Sequence, residues 1–122
     1  MNLQQWTDYC LSKPYAEQDF PFDADTISFK VGGKIFSLTS LKRWEAGDHS
    51  VNLKCDPQKA LELRERYASV TPGYHMSKKH WNTVSIDEGE LNQQEIIELI
   101  DHSYALVYQS LSRKVQEELS KS

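Results

Sequence analysis

Gly32-Gly33 stands between two stretches of period-two hydrophobicity, with Ile27, Phe29 and Val31 before it and Phe36 and Leu38 after it. Two glycines tolerate the backbone that a two-residue hairpin turn requires, and the alternation demands that one side of each strand be dry. The chain is thereby committed to an antiparallel hairpin with one buried face. The register that such a turn implies sets Phe29 opposite Phe36 and Ile27 opposite Leu38.

The remaining elements are organised around this hairpin. Leu3, Trp6 and Cys10 recur at helical spacing, Asn2 can cap the start and Pro14 ends the pattern, which predicts an amphipathic helix over 3–12. Phe20 to Asp25 reads as an irregular acidic and aromatic stretch. Beyond the connection Lys42 to Asp48, Val51, Leu53 and Cys55 alternate with Asn52 and Lys54 and add a third strand in meander order. Asp56-Pro57 is an N-cap followed by proline at the first helical position, opening a helix to about Ala68. Val84 and Ile86 mark a fourth strand, closed by Asp87-Glu88-Gly89. Asn92 and Glu95 have capping-box spacing and start a long helix whose core stripe is Ile96, Ile100, Tyr104, Val107 and Leu111. Ser112 caps a short terminal helix to about Leu119.

The order α-β-β-β-α-β-α-α predicts an α+β fold, a small antiparallel sheet of about four strands with helices packed on one face. The opposite face is then lined by Ser28, Lys30, Ser37, Thr39, Asn52, Lys54, Thr83 and Ser85. At 122 residues the chain is expected to be a single domain, 1–122. No apolar run reaches the length of a membrane span, and Met1 to Trp6 lacks the basic flank and apolar core of a leader, so a cytoplasmic location is expected. Cys10 and Cys55 are too few for a disulfide framework and read as packed thiols.

The formal net charge is −4, but it is unevenly distributed: −4 over residues 1–25, +5 over 26–81 and −5 over 82–122. A basic centre lies between acidic ends. Either acidic helices flank a compensating sheet, or one face of the molecule seeks phosphates. The densest part of the centre is Thr71 to Val84, which holds Tyr74, His75, Lys78, Lys79, His80 and Trp81 without one acidic residue. Lys42, Arg43 and Trp44 form a second cluster in the connection after the hairpin.

The run Tyr74-His75-Met76 with Lys78-Lys79-His80-Trp81, supported by Cys10, Lys13-Pro14, Ala16-Glu17 and the strand 51–55, resembles the signature of the MmcQ/YjbR family of bacterial proteins. That resemblance covers nearly the whole chain. It implies a CyaY-like fold with a double-wing arrangement, and family members carry a DNA-binding label.

On this reading Lys42, Arg43, Lys78, Lys79 and His80 contact phosphates, and Trp44 or Trp81 stacks on an exposed base, with Tyr74 and His75 in the same nucleic-acid interface. Against this, a tryptophan beside a strand, as Trp81 is, more often serves the core than a stacking platform, and Tyr74 and Met76 can similarly pin the loop to the sheet. The alternative partner is a protein or small ligand held by the loop from His75 to Trp81. No metal or cofactor is expected: among His49, Cys55, His75, His80, Asp48 and Asp56 no ligand spacing recurs, and His75 and His80 are too far out of phase for one helical face. No Gly-x-Ser-x-Gly elbow occurs, Val31 to Lys34 is a hairpin tip rather than a phosphate loop, and His102 is expected to be solvated. The chain is therefore expected to be a monomer without catalytic activity. A histidine-dependent enzyme is the third reading, and it requires a carboxylate beside His75 or His80.

Overall fold

The computed structural model describes residues 1–20, 24–74 and 76–121. The elements run α1 (Leu3–Ser12), β1 (Glu17–Asp19), β2 (Thr26–Val31), β3 (Lys34–Ser40), α2 (Leu41–Glu45), β4 (Ser50–Lys54), α3 (Pro57–Arg66), β5 (Val70–Pro72), β6 (Trp81–Ser85), α4 (Gln93–Ser110) and α5 (Arg113–Ser120). The fold is α+β, as the hydrophobic patterning predicts. The sheet is antiparallel with strand order β1-β2-β3-β4-β6-β5. It has six strands rather than four because β1 and β5, each three residues long, extend its two edges. Strands that short carry no readable alternation. Part of the irregular stretch at 20–25 lies outside the described residues.

Local chemistry sets the helix ends. Asn2 with Gln5, and Asn92 with Glu95, form reciprocal capping boxes, so two otherwise unpaired backbone donors are satisfied at each start. Asp56 caps α3 and Pro57 follows at its first turn. That helix stops at Arg66, short of Ala68, because Tyr67 adopts extended backbone. Ser112 caps α5, as expected.

The hairpin turn is as predicted, with φ of 58° at Gly32 and 81° at Gly33. The register is not. Val31 pairs with Lys34 and Lys30 with Ile35, but Phe29 pairs with Ser37 and Ile27 with Thr39. Phe36 is the extra residue of a β-bulge, and such an insertion turns consecutive side chains toward one face. Both Phe36 and Ser37 therefore face the helices. Phe36 meets Tyr104 of α4 edge to face at 5.2 Å, and Ser37 accepts a hydrogen bond from Trp6 Nε1 of α1 at 3.0 Å.

The slip reassigns the second face of the sheet. Ser37 and Thr39 are not on it; Leu38 and Ser40 are, on the far side from the helices, with Ile35 beyond the bulge. Thr39 Oγ1 is consumed inside the fold, donating to Ser50 O at 2.5 Å and accepting from Trp44 Nε1 at 3.0 Å. On the helix side, α1 and α4 close over the sheet. Trp6, Phe29, Phe36, Val51, Ile96 and Ile100 have no exposure. Tyr9 and Lys13 of α1 both donate to Asp101 Oδ1 of α4, at 2.6 and 2.8 Å, which locks the two helices together.

Candidate functional site

The face away from α4 carries a concavity of about 740 Å3, within the size range of small-ligand pockets. Leu38 and Ile35 supply apolar floor, and Asn52, Ser40 and Ser50 supply polar wall. Arg43 from α2 and Tyr74 with Met76 from the loop after β5 complete the rim.

Each wall is fixed by the elements behind it. Ser40 caps α2, and Asp25 pins its start by accepting from Ser40 Oγ at 2.7 Å and from Lys42 N at 2.8 Å. The Ser40 hydroxyl, followed by the Lys42 amide, holds the Asp25 carboxyl below its usual value. Arg43 Nε donates to Asp48 Oδ2 at 2.7 Å, which restrains the guanidinium. Arg43 Cζ lies 4.5 Å from the centre of the Tyr74 ring, a cation–π contact. The two basic clusters separated by thirty residues of sequence thus meet through one side-chain pair.

Gly73, Tyr74 and the residues from Ser77 to His80 are tied back to β6. Gly73 N donates to Trp81 O at 2.9 Å, and a Cβ on Gly73 would stand 2.8 Å from Trp81 Cβ. Close approach, not turn handedness, requires glycine there. Tyr74 N donates to Thr83 Oγ1 at 3.1 Å, and Thr83 Oγ1 donates to Asn52 Oδ1 at 2.7 Å. From the other side Arg64 of α3 donates through Nε to Asn82 Oδ1 at 2.6 Å and through Nη2 to the carbonyls of Lys78 and, at 3.2 Å, Trp81. One guanidinium therefore secures the base of the basic loop, a contact that sequence reading missed because Arg64 belongs to an otherwise ordinary solvated helix face.

The predicted site residues separate into groups. Lys42, Lys78, Lys79 and His80 are exposed. Lys78 Nζ turns back to donate to Gly73 O at 3.1 Å, beside Tyr74. Trp44 is half-buried; its indole N–H donates to Thr39 Oγ1 and Ser50 O, both at 3.0 Å, and its ring stacks on His49 at 4.6 Å. That indole fastens α2 to the sheet. Trp81 is half-buried opposite Lys54 and is not part of the concavity. His75 lies outside the described residues.

Two other groups complete the chemistry. His102 is only partly solvated: it is half-buried, and its Nε2 accepts from Asp56 N at 3.2 Å at the head of α3. Burial, and then the charge of Lys59, hold its pKa below the ordinary imidazole value. Cys10 and Cys55 are both buried and unpaired. Burial raises both thiols, Cys55 to about 11. Among the described residues no group of three His, Cys, Asp or Glu side chains is placed to hold a metal ion, and no helix is long and apolar enough to cross a membrane.

Fold and site together define a class: a small α+β protein with helices on one side of an antiparallel sheet and a pocket with a cationic rim on the other. The YjbR family profile matches residues 11–106. The uncharacterised protein YbdF of Escherichia coli O157:H7 is 42% identical over 107 residues, 88% of this chain and 84% of that protein. The uncharacterised protein YjbR of Escherichia coli K12 is 36% identical over 104 residues, 85% of each. The crystal structure of Deinococcus radiodurans protein DR2400 superposes with a TM-score of 0.87 at 33% identity, covering 98% of this chain and 88% of that one. The chain belongs to the YjbR family.

Proposed function

We propose that this protein is a non-catalytic DNA-binding protein, with the concavity and its basic rim as the contact surface. The observation that carries the reading is the Arg43–Tyr74 contact, which sets one residue of the Lys42-Arg43 cluster against one of the segment that continues to Lys78 and Lys79. Other cations of the basic centre are engaged elsewhere: Lys30 pairs with Asp19 at 2.7 Å and Arg64 holds the loop carbonyls. Lys79 has no ion pair among the described residues and remains for phosphates, whereas the charge of Lys42 also acts on the Asp25 carboxylate.

The net charge of −4 opposes binding at long range. At physiological salt, charges beyond roughly 8 Å are largely screened, so the local rim governs the bound state. Weak, strongly salt-dependent affinity is the corresponding expectation. The raised thiol pKa values suit a protein without a cysteine nucleophile, and buried unpaired thiols suit the reducing cytoplasm.

Fluorescence anisotropy of labelled oligonucleotides at several salt concentrations tests the reading. Lys78→Glu with Lys79→Glu should weaken binding to all sequences alike and reduce the salt slope by about 2. Unchanged affinity in the double variant removes these lysines from the interface. A second reading, a small-ligand binding module, is favoured by the mixed lining of the concavity. It predicts amide shifts at Leu38 and Asn52 with an uncharged ligand and no response to charge reversal at Lys78 and Lys79.

A further inference from the structure

We propose that the concavity lined by Arg43 and Tyr74 receives one unpaired nucleobase, so that the protein prefers single strands to duplex. This rests on the DNA-binding reading and adds to it the part of the strand that the groove takes. A paired base has both its faces stacked and its hydrogen-bonding edge spent. A base that is splayed out offers an apolar face and an open edge, and the pocket has a counterpart for each.

The floor is Leu38, buried to 8% exposure, beside Ile35; Leu38 faces the concavity only because the Phe36 bulge shifts the rest of β3 by one residue, while Ile35, on the turn side of the bulge, pairs with Lys30. An aliphatic floor suits the face of a heterocycle. The wall is the flat pair of Arg43 and Tyr74. Guanidinium and phenol planes are the surfaces on which bases stack without regard to sequence.

The edge is read by Asn52. Tyr74 N–H donates to Thr83 Oγ1, whose hydroxyl donates to Asn52 Oδ1, so the relay orients the amide with its oxygen occupied. Asn52 Nδ2 then stands as a donor with no partner among the described residues. A donor in a pocket of this size selects an acceptor, such as the carbonyl of a pyrimidine. The phosphates that flank such a base have cations on both sides of the mouth. Lys42 adjoins Arg43 in the chain, and Lys78 Nζ is held at the Gly73 carbonyl, one residue from Tyr74.

The test compares three labelled ligands by anisotropy at low salt: a short oligothymidylate, its duplex with oligodeoxyadenylate, and an abasic strand of equal length. The unmodified protein should bind the oligothymidylate roughly tenfold more tightly than either of the others. Asn52→Ala and Leu38→Trp should each close that gap by lowering the affinity for oligothymidylate toward that for the duplex and the abasic strand. Asn52→Ala guards against misfolding of the bulkier variant, and the dispersion of the amide spectrum verifies both. Equal binding of all three ligands, or a gap that persists in Asn52→Ala, overturns the base pocket and leaves phosphate contact standing. Absence of binding to every ligand overturns phosphate contact, and the base pocket with it.

Discussion

Ser103 Oγ donates to the Phe36 carbonyl across 2.6 Å, joining the middle of α4 to the bulged residue of β3. The same oxygen accepts from Lys54 N at 2.8 Å. A bulge leaves one residue of the strand outside the ladder, and its polar backbone must find another partner or lose stability. The β3–β4 ladder consists of only Ser37–Leu53 and Leu38–Asn52, so Ser103 supplies the rung that is missing beside it. Without that hydroxyl the bulge would cost two unpaired backbone groups.

Ser103→Ala should therefore destabilise the protein by about 2–4 kcal/mol, since the Phe36 carbonyl and the Lys54 amide lose the same hydroxyl at once. Urea denaturation followed by tryptophan fluorescence measures it. A loss below about 0.5 kcal/mol would mean that the bulge satisfies itself.

Arg64→Lys should loosen the loop from 77 to 81. A lysine cannot reproduce a fork that serves Asn82 Oδ1 and two backbone carbonyls together. Asn82 is nearly fully buried and its Nδ2 already lacks a partner among the described residues. Amide exchange at Lys79, His80 and Trp81 should accelerate by at least tenfold, with a global cost of about 1–2 kcal/mol. Unchanged exchange would show that the loop holds itself.

Most of the architecture was legible because it depends on local patterns: capping residues at Asn2, Asp56, Asn92 and Ser112, and alternation around Gly32-Gly33. What escaped depends on partners distant in sequence. Nothing in Ile35 to Leu38 announces that Phe36 will bulge, because the requirement comes from Ser103 on α4 and Trp6 on α1. The one-residue slip then moved Leu38 to the pocket and Ser37 to the core. The basic residues were legible as residue types, but not Arg64 as their anchor or Asn52 as their neighbour.

Cys10 and Cys55 should resist alkylation in the folded protein. Burial raises both thiols far above neutral pH, leaving little thiolate, and Cys55 is only 4% exposed. Iodoacetamide labelling followed by mass spectrometry should show both sites reacting only as the protein unfolds in denaturant. Labelling of either thiol in native buffer on the timescale of free cysteine would contradict the packing described for α1 and for the end of β4.

Stability should decline as pH falls through the ordinary imidazole value and below it, and His102 should be the cause. Burial, with Lys59 adding to it, holds the folded-state pKa of this imidazole below its ordinary value near 6.5. As pH falls the unfolded chain takes up the proton first, which draws the equilibrium toward unfolding. The contribution is therefore complete above the ordinary imidazole value and is lost as pH falls toward and through the folded-state value. The structural reason is direct: neutral Nε2 accepts from Asp56 N, whereas a protonated ring would set one donor against another. The carboxylates held low by hydrogen bonds, Asp25, Glu90 and Glu95, lose their contributions only at more acidic pH, so the two effects separate. His102→Gln keeps an acceptor for the α3 amide and removes the titration. Its thermal midpoint should fall less over this range than that of the unmodified protein, and equal slopes would assign the dependence to another group.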